Sequence, residues 1–507
     1  MTRQYRVEAL SIQIGATEDE RRFVWLQHPD FPGARVRLAA LADYERDGGF
    51  TEENSRTVIG TTAPVRREEP YLSCKVRVPG LVGGTEYVYS VGCDAALDEA
   101  TYRFSLPKDP KRELSFFLIS DLHINVYRRP INQWDPDGTR MLARYESSLA
   151  RASAFDGKPA FFLSIGDNTS VANMGASMFP EPEKYSKLLS AQISFAEHLE
   201  FLSVPTAKSL PFATIQGNHD AVALSFGAET VGDGNNVLYD MPNDDGYAGH
   251  YLDSVDGGFG PADVSSGDFW FRSGDLLVVG INAMVNAVDN RTPCAPEVHR
   301  AFIEGAIAAC PDTRWRILLC HVPAYAYVEG SPRRTHSGEI GAPTEPAKMA
   351  SFFGGLCDPF GFDLVFTGHQ HAFSRTYPLL DGRVVGEDAR TVERCEGGAV
   401  TETLLNPHGV IHYNVPSLLD HAFFANLPLE PEALYPAYGV TENALRGGRE
   451  AGIPNAEKFR GVTYRSPTYT HVRLEATETG STMTVSSVRS DTNEAFDTLI
   501  ISKAYPL

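Results

Sequence analysis

Five short runs in this 507-residue chain carry side chains able to ligate a metal ion. In order they are Asp121-Leu122-His123, Gly166-Asp167, Gly217-Asn218-His219-Asp220, His321 and Gly368-His369-Gln370-His371. Each follows an apolar run that reads as a strand, expected at 114–120, 160–165, 211–216, 315–320 and 362–367. A side chain at the end of a buried strand is held at the rim of a sheet. Imidazole, carboxylate and amide oxygen together suit Mn, Fe or Zn better than Mg or Ca. Seven ligands (Asp121, His123, Asp167, Asn218, His321, His369 and His371) are too many for one ion with an open position. They suit two ions that share one carboxylate.

The elements that must position these corners follow from the hydrophobic pattern. Segments 138–155, 183–203 and 297–310 have helical apolar spacing and alternate with the strands. Such alternation predicts an α/β domain with buried sheets, whose ligand crevice lies at the carboxyl ends of the strands. The first ~105 residues differ: seven short strand-like runs, separated by turn residues and with no helix among them, predict a small all-β sandwich. We divide the chain into a sandwich at 1–107, a turn-rich linker around Pro107-Lys108-Asp109-Pro110, and a catalytic domain at 112–507. Two stretches without clear period, 222–268 and 382–466, read as excursions, the second expected over the site. Strand character returns in the last ~40 residues.

Composition bounds the partners. The formal charge is −20 and the pI is near 5.2, so nucleic acid and anionic membranes are disfavoured. A small anionic substrate is compatible, because two bound cations would make one crevice locally positive. The seven cysteines are odd in number, widely spaced and free of any Cys-x-x-Cys, which predicts reduced thiols; Cys74 and Cys93 are the pair closest to a disulfide reading. No signal-like segment opens the sequence, so the expected setting is cytoplasmic.

The ordered set Asp-x-His, Gly-Asp, Gly-Asn-His-Asp, His, Gly-His-x-His resembles the signature of the calcineurin-like metallophosphoesterases over residues 113–380. The run Gly368–Pro378 resembles that of the purple acid phosphatase branch, and 78–89 resembles part of its fibronectin type III-like domain. The resemblance implies an α/β/β/α two-sheet sandwich with a dinuclear metal centre and an N-terminal fibronectin-like unit. It departs at two positions: His123 stands where that branch has glycine, and Ser170 where it has a metal-binding tyrosine. The departures imply no tyrosinate colour, Mn/Mn, Fe/Mn or Fe/Zn rather than a locked ferric ion, and a near-neutral pH optimum.

By matching position, the resemblance assigns Asp121, His123, Asp167 and His371 to one metal. Asp167, Asn218, His321 and His369 go to the other, with Asp167 bridging. His219 is assigned as the histidine that meets the phosphate and protonates the leaving group, with Asp220 orienting it. Asn218, His336 and Arg333, the last beside Arg334, are candidate substrate contacts, as are Arg128 and Arg129. Arg375 is expected to be structural, and His408, His412, His421 and His471 ordinary. The implied reaction is hydrolysis of a small phosphate monoester by a bridging hydroxide attacking phosphorus in line. The alternatives are a phosphodiesterase on small diesters such as cyclic nucleotides, and a catalytically silent scaffold. Oligomeric state is not legible.

Overall fold

A computed structural model describes residues 4–65, 71–124, 139–169, 187–217, 220, 238–244, 268–281, 296–323, 355–369, 371, 373–385, 390–394, 399–419 and 468–505. Asn218, His219, Ser170, Arg128, Arg129, Arg333, Arg334, His336, His421 and most of both excursions lie outside these residues.

The N-terminal unit has two antiparallel layers. One contains β1 (Glu8–Ile14), β2 (Arg21–Gln27), β6 (Tyr71–Val78) and β5 (Thr61–Val65); the other contains β3 (Arg35–Ala40), β4 (Ser55–Ile59), β7 (Glu86–Gly92) and β8 (Tyr102–Ser105). Inward positions alternate along the strands, as a sandwich requires. Phe23, Trp25, Cys74 and Val76 from one layer meet Val36, Leu38, Tyr89 and Val91 from the other. The sequence reading erred here in two ways. A short helix, α1 (Leu41–Asp47), interrupts the strands. One of the seven strand-like runs, residues 57–62, is instead divided between two strands that part at Gly60 and join opposite layers. Cys74 and Cys93 are buried free thiols.

The second unit is built on two sheets. The first centres on parallel strands β9 (Glu113–Ile119), β10 (Phe162–Ser164) and β11 (Phe212–Thr214). It continues through antiparallel β22 (Thr468–Ala476), β23 (Gly480–Arg489) and β24 (Ala495–Ala504). The second sheet contains β12 (Phe269–Ser273), then parallel β13 (Leu276–Gly280), β14 (Trp315–Leu319), β15 (Leu364–Thr367) and β21 (Ile411–Asn414), with β16 (Ser374–Arg375) at its edge. Helices α2 (Thr139–Ala154), α3 (Lys187–Ser203) and α4 (Pro296–Ala309) lie close to where periodicity put them. Consecutive residues of one strand serve different cores, because side chains alternate across a sheet. Leu276 and Val278 join the large core between the sheets; Leu277 and Val279 join the core shared with Ile303 and Ala306 of α4. Continuous apolar runs are the expected mark of strands buried on both faces.

Two further features concern organisation. β1 pairs in parallel with β11 at Gln13 and Phe212, so one 12-stranded sheet, counted among the described residues, runs from β19 (Arg390–Arg394) to β5 through both units. The excursion at 382–466 is also partly regular. Its described residues form β18 (Arg383–Val384, paired with β17, Leu379–Leu380), β19, β20 (Val400–Leu405) and β21, with β20 alongside β24. No helix among the described residues is long and apolar enough to cross a membrane.

Candidate metal centre

The carboxyl ends of the parallel strands of the two sheets face each other, and the ligand-type residues of four of the five sequence-predicted corners meet there; Asn218 and His219 of the other lie outside the described residues. Asp121 and Asp167 leave β9 and β10; His321, His369 and His371 leave β14 and β15. Two groups have ligand atoms all within 4.8 Å of one another: Asp121, His123, Asp167 and His371, and Asp167, His321 and His369. Asp167 belongs to both. These residues are buried, apart from the half-buried His369.

The corners are conformationally unusual. Asp121, His123, Asp167, His369 and His371 all have positive φ, between 45° and 69°. Such a conformation costs a non-glycine residue about 1–3 kcal/mol and persists only where the surroundings impose it. The imposing contacts cross from strand to strand and sheet to sheet. Asp121 N–H donates to Gly166 O (3.0 Å) and His123 N–H to Asp167 O (2.9 Å). His369 N–H donates to both Asp121 carboxylate oxygens (3.1 and 3.0 Å), and Ser120 Oγ donates to Asp121 Oδ2 (2.6 Å). Ser417 Oγ donates to the Asp121 carbonyl (2.7 Å). The glycines of the motifs make this approach feasible. A Cβ on Gly217 would stand 2.1 Å from Asp167 Oδ1, and one on Gly368 2.1 Å from Ser120 Oγ.

The donor atoms converge on one another. His123 Nε2 and His371 Nε2 are 2.9 Å apart. His371 Nε2 is 3.2 Å from Asp121 Oδ1, and His123 Nε2 is 3.6 Å from Asp167 Oδ2. His321 donates from Nδ1 to Ile165 O (2.7 Å), which leaves Nε2, 3.2 Å from Asp167 Oδ2, as the atom facing the cluster. A carbonyl that fixes the far nitrogen is the usual support of a ligating histidine. Burial opposes charge on His321, but Asp167 and Asp121 outweigh it and carry its pKa up to about 9. Burial also opposes charge on Asp121, yet the neighbouring His371 and His321 hold its carboxyl below the usual range. Opposed imidazole nitrogens among buried carboxylates fit a cation; so does the set of nitrogen and oxygen donors.

Asp220, expected to orient His219, which lies outside the described residues, is held by the backbone on two sides. Its carboxylate accepts from Gly217 N–H (2.9 Å) and from Thr169 N–H (3.0 Å) and Oγ1 (3.2 Å). Burial, and repulsion from Asp167, push its pKa up to about 6. Arg375 lies outside the cluster, paired with Asp497 and Glu402. Sequence reasoning missed Ser120, Asn168, Thr169 and Ser417. Asn168 accepts from Ser164 Oγ (2.6 Å) and donates to Thr214 Oγ1 (3.0 Å), tying the β10 corner to β11. Only the first three carry a local signal, being adjacent to motif residues.

With this geometry in place, the comparisons can be weighed. The model of the calcineurin-like phosphoesterase family matches residues 114–373, just over half of the chain. Among solved structures, a purple acid phosphatase from yellow lupin (Lupinus luteus) seeds superposes with a TM-score of 0.59. It is 13% identical, over 99% of this chain and 75% of that one. At that identity the likeness carries the fold, including an all-β N-terminal layer pair. No curated protein matches the chain in sequence.

Proposed function

This chain belongs to the calcineurin-like phosphoesterase family, and from that premise we propose that it hydrolyses small phosphate monoesters with two transition-metal ions of the Mn, Fe or Zn class. The observation that carries the reading is the pair of His/Asp groups sharing Asp167 at facing strand ends. Asp121, His123, Asp167 and His371 would hold one ion; Asp167, His321 and His369 would hold the other, joined by Asn218. Bound there, the ions would supply Lewis acidity toward the phosphoryl oxygens and acidify a water molecule.

The chain's own residues hold and orient. The Ile165 carbonyl keeps the proton of His321 on Nδ1, so that Nε2 serves as ligand. Ser120 Oγ and the His369 amide position the Asp121 carboxylate. We assign Asp220 to holding the Gly217 corner against Thr169, since its carboxylate takes both backbone amides. His219 would protonate the leaving group, with Asp220 orienting it from this fixed position. The N-terminal unit, which we bound at 107, would act as a buttress. Gln13 of β1 donates to Leu238 O and accepts from Asp240 N–H, while Arg22 and Arg77 bind the Asp240 carboxylate. These contacts clamp 238–244, between the Asp220 corner and β12.

Purified protein loaded with Mn should contain about two metal equivalents. It should also hydrolyse para-nitrophenyl phosphate faster than its bis ester. A faster rate on the bis ester would make the chain a diesterase; metal content near zero after reconstitution would remove the dinuclear reading.

A further inference from the structure

A cavity of about 190 Å³ lies where the sandwich meets the second unit. It is at the far end of the sheets from the metal corners. Ala160 and Phe161 in its wall enter β10, and Asp167 leaves β10 at the other end. Its walls are largely apolar, with Ile14, Leu81, Phe161 and Phe271 from both units. Cavities of about 150 Å³ with such walls admit a benzene ring, so this one has room for a ring and a small head group.

The charge in this wall is not neutralised by contact. Arg21 is only 6% exposed. Its Nη1 donates to the Glu18 and Glu20 carbonyls (3.2 and 2.6 Å), and its Nε is buried with no hydrogen-bond partner. Arg21 has no ion pair among the described residues. The nearby carboxylates are engaged elsewhere. Glu18 accepts from Gly274 N–H, Asp19 from Thr17 Oγ1 and Gly80 N–H, and Glu20 from Arg22 Nε and Ala16 N–H. Arg272, also in the wall, is taken bidentately by Asp312. Burial lowers the pKa of Arg21 to about 10, against the pull of these acids at longer range. A buried charge without a contact ion pair is costly; Arg21 lines the cavity beside Glu18 and Asp19, whose carboxylates are bonded to other groups. At the rim, Lys108 is exposed and has no ion pair among the described residues.

We propose that this cavity binds a small organic carboxylate with a short apolar body, its head group pairing with Arg21 and with Lys108 at the rim. A guanidinium presents parallel N–H donors that match a carboxylate, and the Phe161 and Phe271 side would receive the body. Because the site draws on both units, occupation would stabilise their junction and need not touch the phosphoester chemistry.

Benzoate is the probe, titrated into the metal-loaded full chain by calorimetry and by thermal unfolding. Saturating inorganic phosphate occupies the phosphoester site throughout, and benzyl alcohol serves as the uncharged control. The expected result is saturable benzoate binding with a rise in Tm that phosphate leaves unchanged. R21Q should weaken binding at least tenfold and K108A two- to threefold. No saturable binding, competition by phosphate, equal binding of benzyl alcohol, or unchanged affinity in K108A would each overturn the proposal. Lys108 is exposed, so K108A keeps the test decisive if R21Q does not fold. The readout is binding rather than turnover, so it does not depend on the assigned reaction.

Discussion

Arg375 and His371 lie close in sequence and are both buried, but they belong to polar clusters of opposite design. Arg375 grips Asp497 through Nε and Nη2 (2.8 and 3.0 Å) and Glu402 through Nη1. Burial disfavours its charge, but the two carboxylates more than restore it and raise its pKa. The cation in this cluster is supplied by the chain itself. His371 converges instead with His123, Asp121 and Asp167, ligand atoms all within 4.8 Å of one another, and its Nε2 faces the His123 imidazole. A cluster that closes on itself fixes β16 against β20 and β24; one that leaves nitrogen and oxygen donors converging is built to receive a cation. Each cluster joins residues distant in sequence, and both are hidden from water, so burial alone does not tell a structural charge from a functional one. The company each keeps does: a guanidinium gripped by carboxylates in one cluster, metal-ligand atoms gathered on one another in the other.

This contrast can be broken in order of effect. Asp167→Asn removes the carboxylate common to both groups. Turnover of para-nitrophenyl phosphate should fall by about a thousandfold, ~4 kcal/mol of transition-state stabilisation, and metal content should drop. Normal turnover in this variant would end the role of Asp167 as a shared ligand. Asp497→Ala should do the reverse: it leaves the buried guanidinium with Glu402 as its remaining counter-ion in this cluster, at a cost of about 3 kcal/mol in urea unfolding, with metal content per folded molecule unchanged. Loss of metal without loss of stability would merge the two clusters into one.

Gly217→Ala tests the close approach of the corners, since its Cβ would collide with Asp167. Overpacking of that kind costs about 1–3 kcal/mol, and metal affinity should fall along with stability in a chelator titration. The smallest effect belongs to His471, which bonds Ser115 of β9 (2.9 Å) and whose pKa burial lowers from 6.5 to about 4. A depressed folded-state pKa contributes stability that is full above 6.5 and is lost as pH falls toward 4. His471→Gln should flatten that limb of the stability–pH curve; an unchanged slope would show that other groups set it.

Much of the site was legible because its grammar is local. An apolar strand followed by a glycine and a ligand-type residue recurs, and the strands and three helices fell near their expected positions. The illegible parts are those in which distant segments choose each other. Nothing near Thr57 announces that its run divides between two sheets. Nothing near Arg390 announces a strand, since β19 is polar and gains its register from β20. Asp220 read as the partner of His219, and only the fold shows Gly217 and Thr169 as further donors to it. The left-handed corners are likewise invisible in sequence, because non-glycine residues adopt them only under imposed contacts.

The sequence by itself determined which side chains stand at strand ends, since strand periodicity and corner residues are set by neighbours along the chain. Tertiary structure decided which ends face each other. It alone brought His123 to His371, joined β1 to β11, and left Arg21 at a cavity wall with its neighbouring acids engaged elsewhere. The physical reason is that sheet pairing and burial are non-local: a residue's type limits the chemistry it can do, and the partner that the fold delivers decides which chemistry it does.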